Sequence, residues 1–283
     1  MVDKLLIVGS GTMGTGIAQV AIESGINVLL YDTNKDQLAK ACNTIEGFIQ
    51  KKVEKGKLSS EDKTVIMGRL DLIENLDKAS QADFVIEAVV EIFDVKTALF
   101  KILEIILRPN VIIASNTSSL SITELSESLQ DPSRFIGMHF FSPVPLMRLV
   151  EVVRGEKTSN ATLEKALELG KILGKTAVTV KDIPNFIVNR FMDHLYKEAI
   201  LMIQSGIATP YDIDTALKLG ANHPMGPCEI MDMAGVDIVY NAYKARYEKT
   251  RLEKDKVPEL LEKMVKEGKL GRKTGEGFYK YNA

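Results

Sequence analysis

Lys4-Leu-Leu-Ile-Val-Gly9-Ser-Gly11-Thr12-Met13-Gly14 is the stretch that decides the fold of this chain. Short apolar β-formers run into glycines at the first, third and sixth motif positions, and a helical pattern follows in Thr15-Gly-Ile-Ala-Gln-Val-Ala-Ile-Glu23. That order is a strand feeding a helix through a turn that only glycine can make. Gly9 permits the tight turn, Gly11 lets the backbone approach a pyrophosphate, and Gly14 lets the helix pack close to the strand. The helix N-terminus then offers unpaired N–H groups and a positive dipole end to phosphates. A glycine pattern alone is weak, because such turns are common. Here a second apolar run, Ile26-Asn-Val-Leu-Leu-Tyr31, ends in Asp32, 18 residues beyond Gly14. An acidic side chain at that place holds a ribose hydroxyl in dinucleotide folds. The combination predicts dinucleotide binding, against a purely structural strand–helix–strand turn.

Bulk properties narrow the classes. With 283 residues the chain has room for two domains, and 45% hydrophobic with 26% charged residues is the composition of an ordinary globular protein. A formal net charge of −2 gives no support for a nucleic-acid partner or a membrane surface. Cys42 and Cys228 stand far apart with no CxxC or Cys/His cluster, which argues against a disulfide framework or a metal site and suits a reducing compartment. There is no 18-residue apolar stretch, and the first strand begins within a few residues of Met1. A cytoplasmic location is expected.

Outward from the opening turn, strand-like and helical runs alternate over the first ~180 residues, the signature of a parallel α/β sheet. A helix pattern covers about 35–54, and strand-like runs follow at 69–73, 83–88, 111–115, 135–139, 149–154 and 176–180. A Rossmann-type, mostly parallel sheet domain is expected over 1–183. From Pro184 the apolar positions Val188, Phe191, Met192, Leu195, Ala199 and Met202 recur at helical spacing, with Pro184 suited to a helix first turn. A smaller all-helical domain is therefore expected over 184–283. Its apolar content exceeds what five short helices need, which suggests a homodimer formed through it.

Of three histidines, His139 ends an apolar strand and precedes Phe140-Phe-Ser-Pro143-Val-Pro145, at the carboxyl edge where open α/β sheets bind ligands. Glu151 lies 12 residues on, within an apolar strand, where a carboxylate is costly unless paired. A hairpin-like return after the prolines brings the two together. The carboxylate would fix the ring's tautomer and the imidazole would move a proton. A buried structural pair, or a Glu on a solvent-facing side, fits the spacing equally well. Ser115-Asn-Thr-Ser-Ser119 places hydroxyls and an amide at another strand end, either as substrate donors or as a polar loop with Ser121 capping a helix. Asn189 either bridges locally or points a donor at a developing oxyanion. The run Lys51, Lys52, Lys55, Lys57 reads as a solvated helix end or a phosphate site, while His194 and His223 read as structural.

Together these segments resemble the short-chain L-3-hydroxyacyl-CoA dehydrogenases, most closely the bacterial 3-hydroxybutyryl-CoA enzymes. The resemblance spans essentially the whole chain and rests on 9–19, 115–119, Gly137-Met-His-Phe-Phe-Ser-Pro143, Leu149-Val-Glu-Val152, Ile183-Pro-Asn-Phe-Ile-Val-Asn-Arg190, His223-Pro-Met-Gly-Pro227 and Gly275-Glu-Gly-Phe-Tyr279. It implies His139 as acid/base, Glu151 as its orienting partner, and Ser118 and Asn189 on the substrate's C3 oxygen and thioester region. It implies that Gly9, Gly11, Thr12, Met13, Gly14, Asp32, Glu91, Lys96 and Asn116 bind the cofactor, with Glu91 and Lys96 near its nicotinamide half. Lys51 and Lys55 match positions that meet coenzyme A phosphates. The implied substrate is a CoA thioester. Asp32 favours NAD over NADP, with Asn34 and Lys35 leaving NADP as the alternative. Two departures stand out: Ser142 where many relatives carry Asn, and Asn185 where relatives usually carry Gly. Rival readings are a dehydrogenase of a free hydroxy acid or sugar acid in the same superfamily, and a non-catalytic crystallin-like relative.

Overall fold

A computed structural model describes residues 2–281, and the chain divides between Ile187 and Val188 into two compact units. The first contains β1 (Lys4–Val8), α1 (Thr12–Glu23), β2 (Asn27–Tyr31), α2 (Lys35–Glu54), α3 (Ser60–Met67), β3 (Leu70–Ile73), β4 (Phe84–Glu87) and α4 (Phe93–Ile106). It continues with β5 (Ile112–Ser115), α5 (Ile122–Ser126), β6 (Phe135–Phe140), β7 (Leu149–Arg154), α6 (Asn160–Ile172) and β8 (Thr176–Lys181). The strands form one sheet in the order β3-β2-β1-β4-β5-β6-β7-β8. Every neighbouring pair is parallel except β6 with β7. The Rossmann-type, mostly parallel sheet read from the sequence is present. Strand order reverses between β1 and β4, so a crevice opens outside their carboxyl ends.

The central strands are apolar along most of their length because both faces are covered, with the polar residues Glu87 and Ser115 confined to the carboxyl ends of β4 and β5. Leu5 and Ile7 of β1 pack with Ile17 of α1, Ile45 of α2 and Leu169 of α6, whereas Leu6 and Val8 pack on the opposite face with Phe100 and Leu103 of α4 and Leu125 of α5. Full burial of each such side chain stabilises the fold by roughly 1.5–3 kcal/mol. Helix starts follow local chemistry: the Asn34 side chain accepts from the N–H groups of Asp36 and Gln37 to start α2, and Ser121 accepts from Glu124 N–H to start α5.

Two starts differ from expectation. α1 begins at Thr12 rather than Thr15, so its first turn already includes the motif residues Thr12, Met13 and Gly14. Pro184 does not open a helix. The backbone at Asn185 and Phe186 is left-handed, with φ of 65° and 50°, and α7 begins only at Val188. The Phe186 ring is buried, and the Ile187 N–H is donated to Glu151 Oε1 at 3.0 Å. A helical path from Pro184 would forfeit these contacts. Asn185 thus adopts a left-handed conformation that asparagine, like glycine, tolerates.

The second unit comprises α7 (Val188–Gln204), α8 (Pro210–Gly220), α9 (Pro227–Ala234), α10 (Val236–Thr250) and α11 (Glu259–Lys266), with no named strand among its described residues. Ile200, Met231, Val236, Tyr243 and Leu261 form its core. Two buried carboxylates organise it. Asp214 accepts from the Cys228 and Glu229 N–H groups and the Tyr279 hydroxyl, at 2.9, 3.0 and 2.7 Å. Asp232 accepts from the Phe278 and Tyr279 N–H groups and the Tyr281 hydroxyl, at 2.9, 3.0 and 2.9 Å. Burial and the Asp232 bond push the Tyr281 hydroxyl up to about 12. A Cβ on Gly226 would lie 2.1 Å from Asp214, and one on Gly277 2.0 Å from Asp232, so both C-terminal glycine motifs exist to admit a carboxylate. Among the described residues, no helix is long and apolar enough to cross a membrane.

Candidate active site

The turn after β1 is built before any ligand is considered. Gly9 has a φ of 100°, and a Cβ there would lie 2.5 Å from the Ala88 carbonyl oxygen. A Cβ on Gly14 would lie 1.8 Å from the Gly9 carbonyl oxygen, whereas one on Gly11 meets nothing within 4 Å. Two motif glycines are therefore required by the protein's own packing, and the third leaves room on the outer side. Gly11 caps α1 without a side-chain hydrogen bond, so the first-turn N–H groups point outward. Asp32, at the end of β2, accepts from the Ser10 N–H and hydroxyl at 2.7 and 2.9 Å through Oδ2, and from the Asn34 N–H at 2.9 Å through Oδ1. The donor-rich turn and the acceptor beside it fit an adenine dinucleotide. Lys35, which could have met an added phosphate, pairs instead with Glu74.

A cleft of about 340 Å³ lies at the carboxyl ends of β4, β5 and β6, where Met13, Glu91, Lys96, Asn116, Ser118 and His139 all line it. Phe140, Phe141 and Ser142 complete one wall. Asn116 holds two strand ends together: its N–H donates to the Glu87 carbonyl at 2.8 Å, and its Oδ1 accepts from Phe140 N–H at 2.9 Å. Under the opposite wall lies a chain of charges. Lys96, 1% exposed, donates to Glu87 Oε1 at 2.6 Å and pairs with Glu91 Oε2 at 3.2 Å. Glu87, fully buried, also accepts from Val89 N–H at 2.7 Å and from the Ser115 hydroxyl at 2.6 Å. Burial pushes the Glu87 carboxyl up, with the Lys96 charge opposing. Glu91 is also partly desolvated, but the Thr117 hydroxyl at 2.6 Å, the Lys96 charge and the Ser118 N–H at 2.8 Å outweigh burial and hold its carboxyl below the usual range.

Across the cleft, the antiparallel register of β6 and β7 sets His139 directly opposite Glu151. His139 Nδ1 and Glu151 Oε2 are 2.8 Å apart, with side-chain exposures of 7% and 0%. A carboxylate only accepts, so Nδ1 carries the hydrogen and Nε2 keeps its lone pair. Rings of Phe141 and Phe186 pack on the imidazole, with centroids 4.5 and 5.7 Å away. The segment after His139 is clamped by Lys175, which donates to the Val144 and Met147 carbonyls at 2.6 and 2.8 Å. Burial lowers the Lys175 pKa. Val144 in turn seats against α1, where a Cβ on Gly16 would lie 2.9 Å from it.

The structure thus gathers the turn residues Gly9 to Gly14 and Asp32 at one end of the sheet edge, and Glu91, Lys96, Asn116, Ser118 and His139 around one cleft. Lys51 and Lys55 stand exposed at the end of α2, outside the cleft lining. Asn189 is the second residue of α7 in the second unit. His194 is exposed and His223 half-buried. Residues that sequence reasoning missed are Glu87, Phe186 and Lys175. Only Glu87 carried a signal, a carboxylate closing an apolar strand.

The family model for the 3-hydroxyacyl-CoA dehydrogenase NAD binding domain matches residues 4–183, and the model for the 3-hydroxyacyl-CoA dehydrogenase C-terminal domain matches 186–281. The chain belongs to the 3-hydroxyacyl-CoA dehydrogenase family, a class of NAD(H)-dependent oxidoreductases. It is 44% identical over 278 residues to a probable 3-hydroxybutyryl-CoA dehydrogenase of Deinococcus radiodurans, covering 98% of this chain and 100% of the relative. The human mitochondrial hydroxyacyl-coenzyme A dehydrogenase is 42% identical, with 99% of this chain and 92% of that protein covered. The crystal structure of an (S)-3-hydroxybutyryl-CoA dehydrogenase from Ralstonia eutropha superposes with a TM-score of 0.94 at 41% identity and complete coverage of both chains.

Proposed function

We propose that this protein interconverts (S)-3-hydroxybutyryl-CoA, or another short-chain 3-hydroxyacyl-CoA, and the 3-ketoacyl-CoA, with NAD(H) as cofactor. The observation that carries the reading is the His139–Glu151 pair, whose imidazole lines the same cleft as Glu91 and Lys96 while Glu151 is buried behind it. NAD+, held by the Gly9–Gly14 turn and Asp32, would supply the hydride acceptor for C3. His139 Nε2 removes the proton of the C3 hydroxyl as the C3=O bond forms, and Glu151 stabilises the resulting imidazolium through Nδ1–H. In the reducing direction the imidazolium returns that proton to the C3 oxygen. A general acid/base of this kind contributes typically ~10²–10⁴-fold.

Ser118, and Asn189 from α7, hold the C3 oxygen and thioester region in this reading. Asp32 holds the adenosine ribose and repels a 2′-phosphate, and the Lys35–Glu74 pair adds to the preference for NAD(H). Lys51 and Lys55 meet coenzyme A phosphates. The second unit, with Phe191, Ile207 and Leu219 exposed by 72%, 69% and 84%, supplies the surface for a homodimer. Free thiols at Cys42 and Cys228 suit a cytoplasmic location. Initial rates with acetoacetyl-CoA, longer 3-ketoacyl-CoA esters and free acetoacetate, each with NADH and NADPH, test the substrate and cofactor assignments. Acetoacetyl-CoA with NADH should be turned over fastest. Comparable rates with the free acid would reassign the substrate class.

A further inference from the structure

Glu87 is not needed to explain the proton transfer, yet it is fully buried, ionisable and joined to the cleft through Lys96. Its contacts from Lys96, Val89 N–H and the Ser115 hydroxyl are all donated to it, the pattern of an ionised carboxylate. Glu91 is likewise only an acceptor, from Thr117, Ser118, Ser119 and Lys96. Two carboxylates therefore share one ammonium, and the wall carries one negative charge in excess. Lys96 sits closest to Glu87, so the excess charge falls on Glu91, whose side chain is 37% exposed at the cleft and attracts a cation there.

The proposed reaction supplies that partner. Hydride and proton leave the same C–OH group, so the hydride acceptor must lie in the cleft that His139 lines. An oxidised nicotinamide ring bears a positive charge and a reduced one bears none. During oxidation the electron pair of the C3–H bond cancels that charge while the hydroxyl proton creates another on His139. Positive charge thus leaves the Glu91 wall and appears beside Glu151, and each end has a carboxylate to receive it. We propose that Glu87, Lys96 and Glu91 form a counter-ion unit that selects the oxidised over the reduced dinucleotide, with Glu87 as a positioning residue that fixes the unit's charge. The proposal rests on the dehydrogenase reading above.

The test is the ratio of dissociation constants for NADH and NAD+, measured by calorimetry on the full chain, with NADH emission as a second readout. In the wild type this ratio reflects the excess negative charge. Glu91→Gln, on the half-open side of the unit, and Glu87→Gln, in its buried part, each remove one negative charge while keeping side-chain shape. At an effective dielectric of about 20, one charge within a single cleft alters relative affinity by on the order of tenfold. Either variant should therefore weaken NAD+ relative to NADH by about that factor. A merely structural role would weaken both nucleotides together and leave the ratio unchanged, which overturns the proposal. If Glu87→Gln does not fold, Glu91→Gln decides alone. A wild type that turns over acetoacetyl-CoA while both variants keep its ratio sinks this inference and spares the dehydrogenase reading. A wild type that binds neither dinucleotide sinks both.

Discussion

Replacing Glu151 with glutamine removes one charge from the cleft while changing few atoms. In the native site Oε2 accepts from His139 Nδ1 at 2.8 Å, and Oε1 accepts from the Ile187 N–H at 3.0 Å. A glutamine can keep the Ile187 bond with its carbonyl oxygen, but its NH₂ group then faces Nδ1. That donor forces Nδ1 to become the acceptor and moves the ring hydrogen to Nε2, where the lone pair was needed. Loss of a charge-assisted hydrogen bond costs about 1.5–3 kcal/mol, or a factor of about 10–150 in rate. The inverted tautomer adds to this, since the same change behind a serine-protease histidine lowers kcat by about 10⁴. We expect kcat for acetoacetyl-CoA reduction to fall roughly 10²- to 10⁴-fold. NADH affinity should remain close to that of the wild type, because Glu151 is not among the residues that would hold the dinucleotide. Steady-state absorbance of NADH gives kcat, and NADH emission on binding gives the affinity. If kcat stays within about threefold of the wild type, the tautomer argument is wrong. A parallel loss of NADH affinity would show that the substitution disturbed the whole cleft instead.

Other expectations come from packing, tethering and pH. Gly14→Ala forces a Cβ to within 1.8 Å of the Gly9 carbonyl oxygen, so it should cost about 2 kcal/mol or more and lower Tm by about 4–8 °C. Gly11→Ala has open space at the Cβ position, and should leave Tm unchanged while weakening NADH binding; the reverse order of effects would contradict the assigned glycine roles. Lys175→Met releases the Val144 and Met147 carbonyls, so KM for the thioester should rise with NADH affinity unaltered, whereas unchanged kinetics would make the clamp a simple strut. Glu104 is partly buried, but bonds from Gln130 N–H, Asp131 N–H and Arg134 hold its carboxyl below the usual range. Its stabilisation is then present above the unfolded pKa of about 4.3 and disappears as pH falls through the lower folded value. The Tm gap between wild type and Glu104→Gln should narrow from about pH 5 toward pH 3, and a pH-independent gap would remove the carboxylate from the account.

The parallel strands were readable because burial on both faces leaves little but Val, Ile, Leu and Phe in them. The His139–Glu151 pairing was readable too, because a carboxylate inside an apolar strand demands a partner and the prolines between the two residues suggested a reversal. What stayed hidden depended on contacts between distant positions. Pro184 before helically spaced apolar residues resembles a first-turn proline, and nothing local reveals that Phe186 is needed against the His139 ring. Asp214 and Asp232 sit on amphipathic helices, where an acidic residue reads as solvated, and their partners in the 278–281 segment lie 46–65 residues away. Glu87 and Glu91 are both glutamates near one strand end, and only burial separates the inner one from the outer.

The register of β6 on β7 carries a constraint on how this chain can change length. Side chains alternate faces along a strand, so sliding β7 by a single position would bring Val150 or Val152 opposite His139 and turn Glu151 to the other side of the sheet. The slip would also drive the Glu151 carboxylate, stripped of its imidazole partner, into the packed face that Val150 and Val152 now fill, which is costly. The connection holds the register as well: Lys175 grips the carbonyls of Val144 and Met147, and the Thr176 N–H holds the Arg148 carbonyl at 2.7 Å. A deletion in the 141–148 segment that leaves His139 and Glu151 untouched can therefore separate the proton carrier from its counter-charge. In this protein the length of a short surface connection is part of the acid–base chemistry.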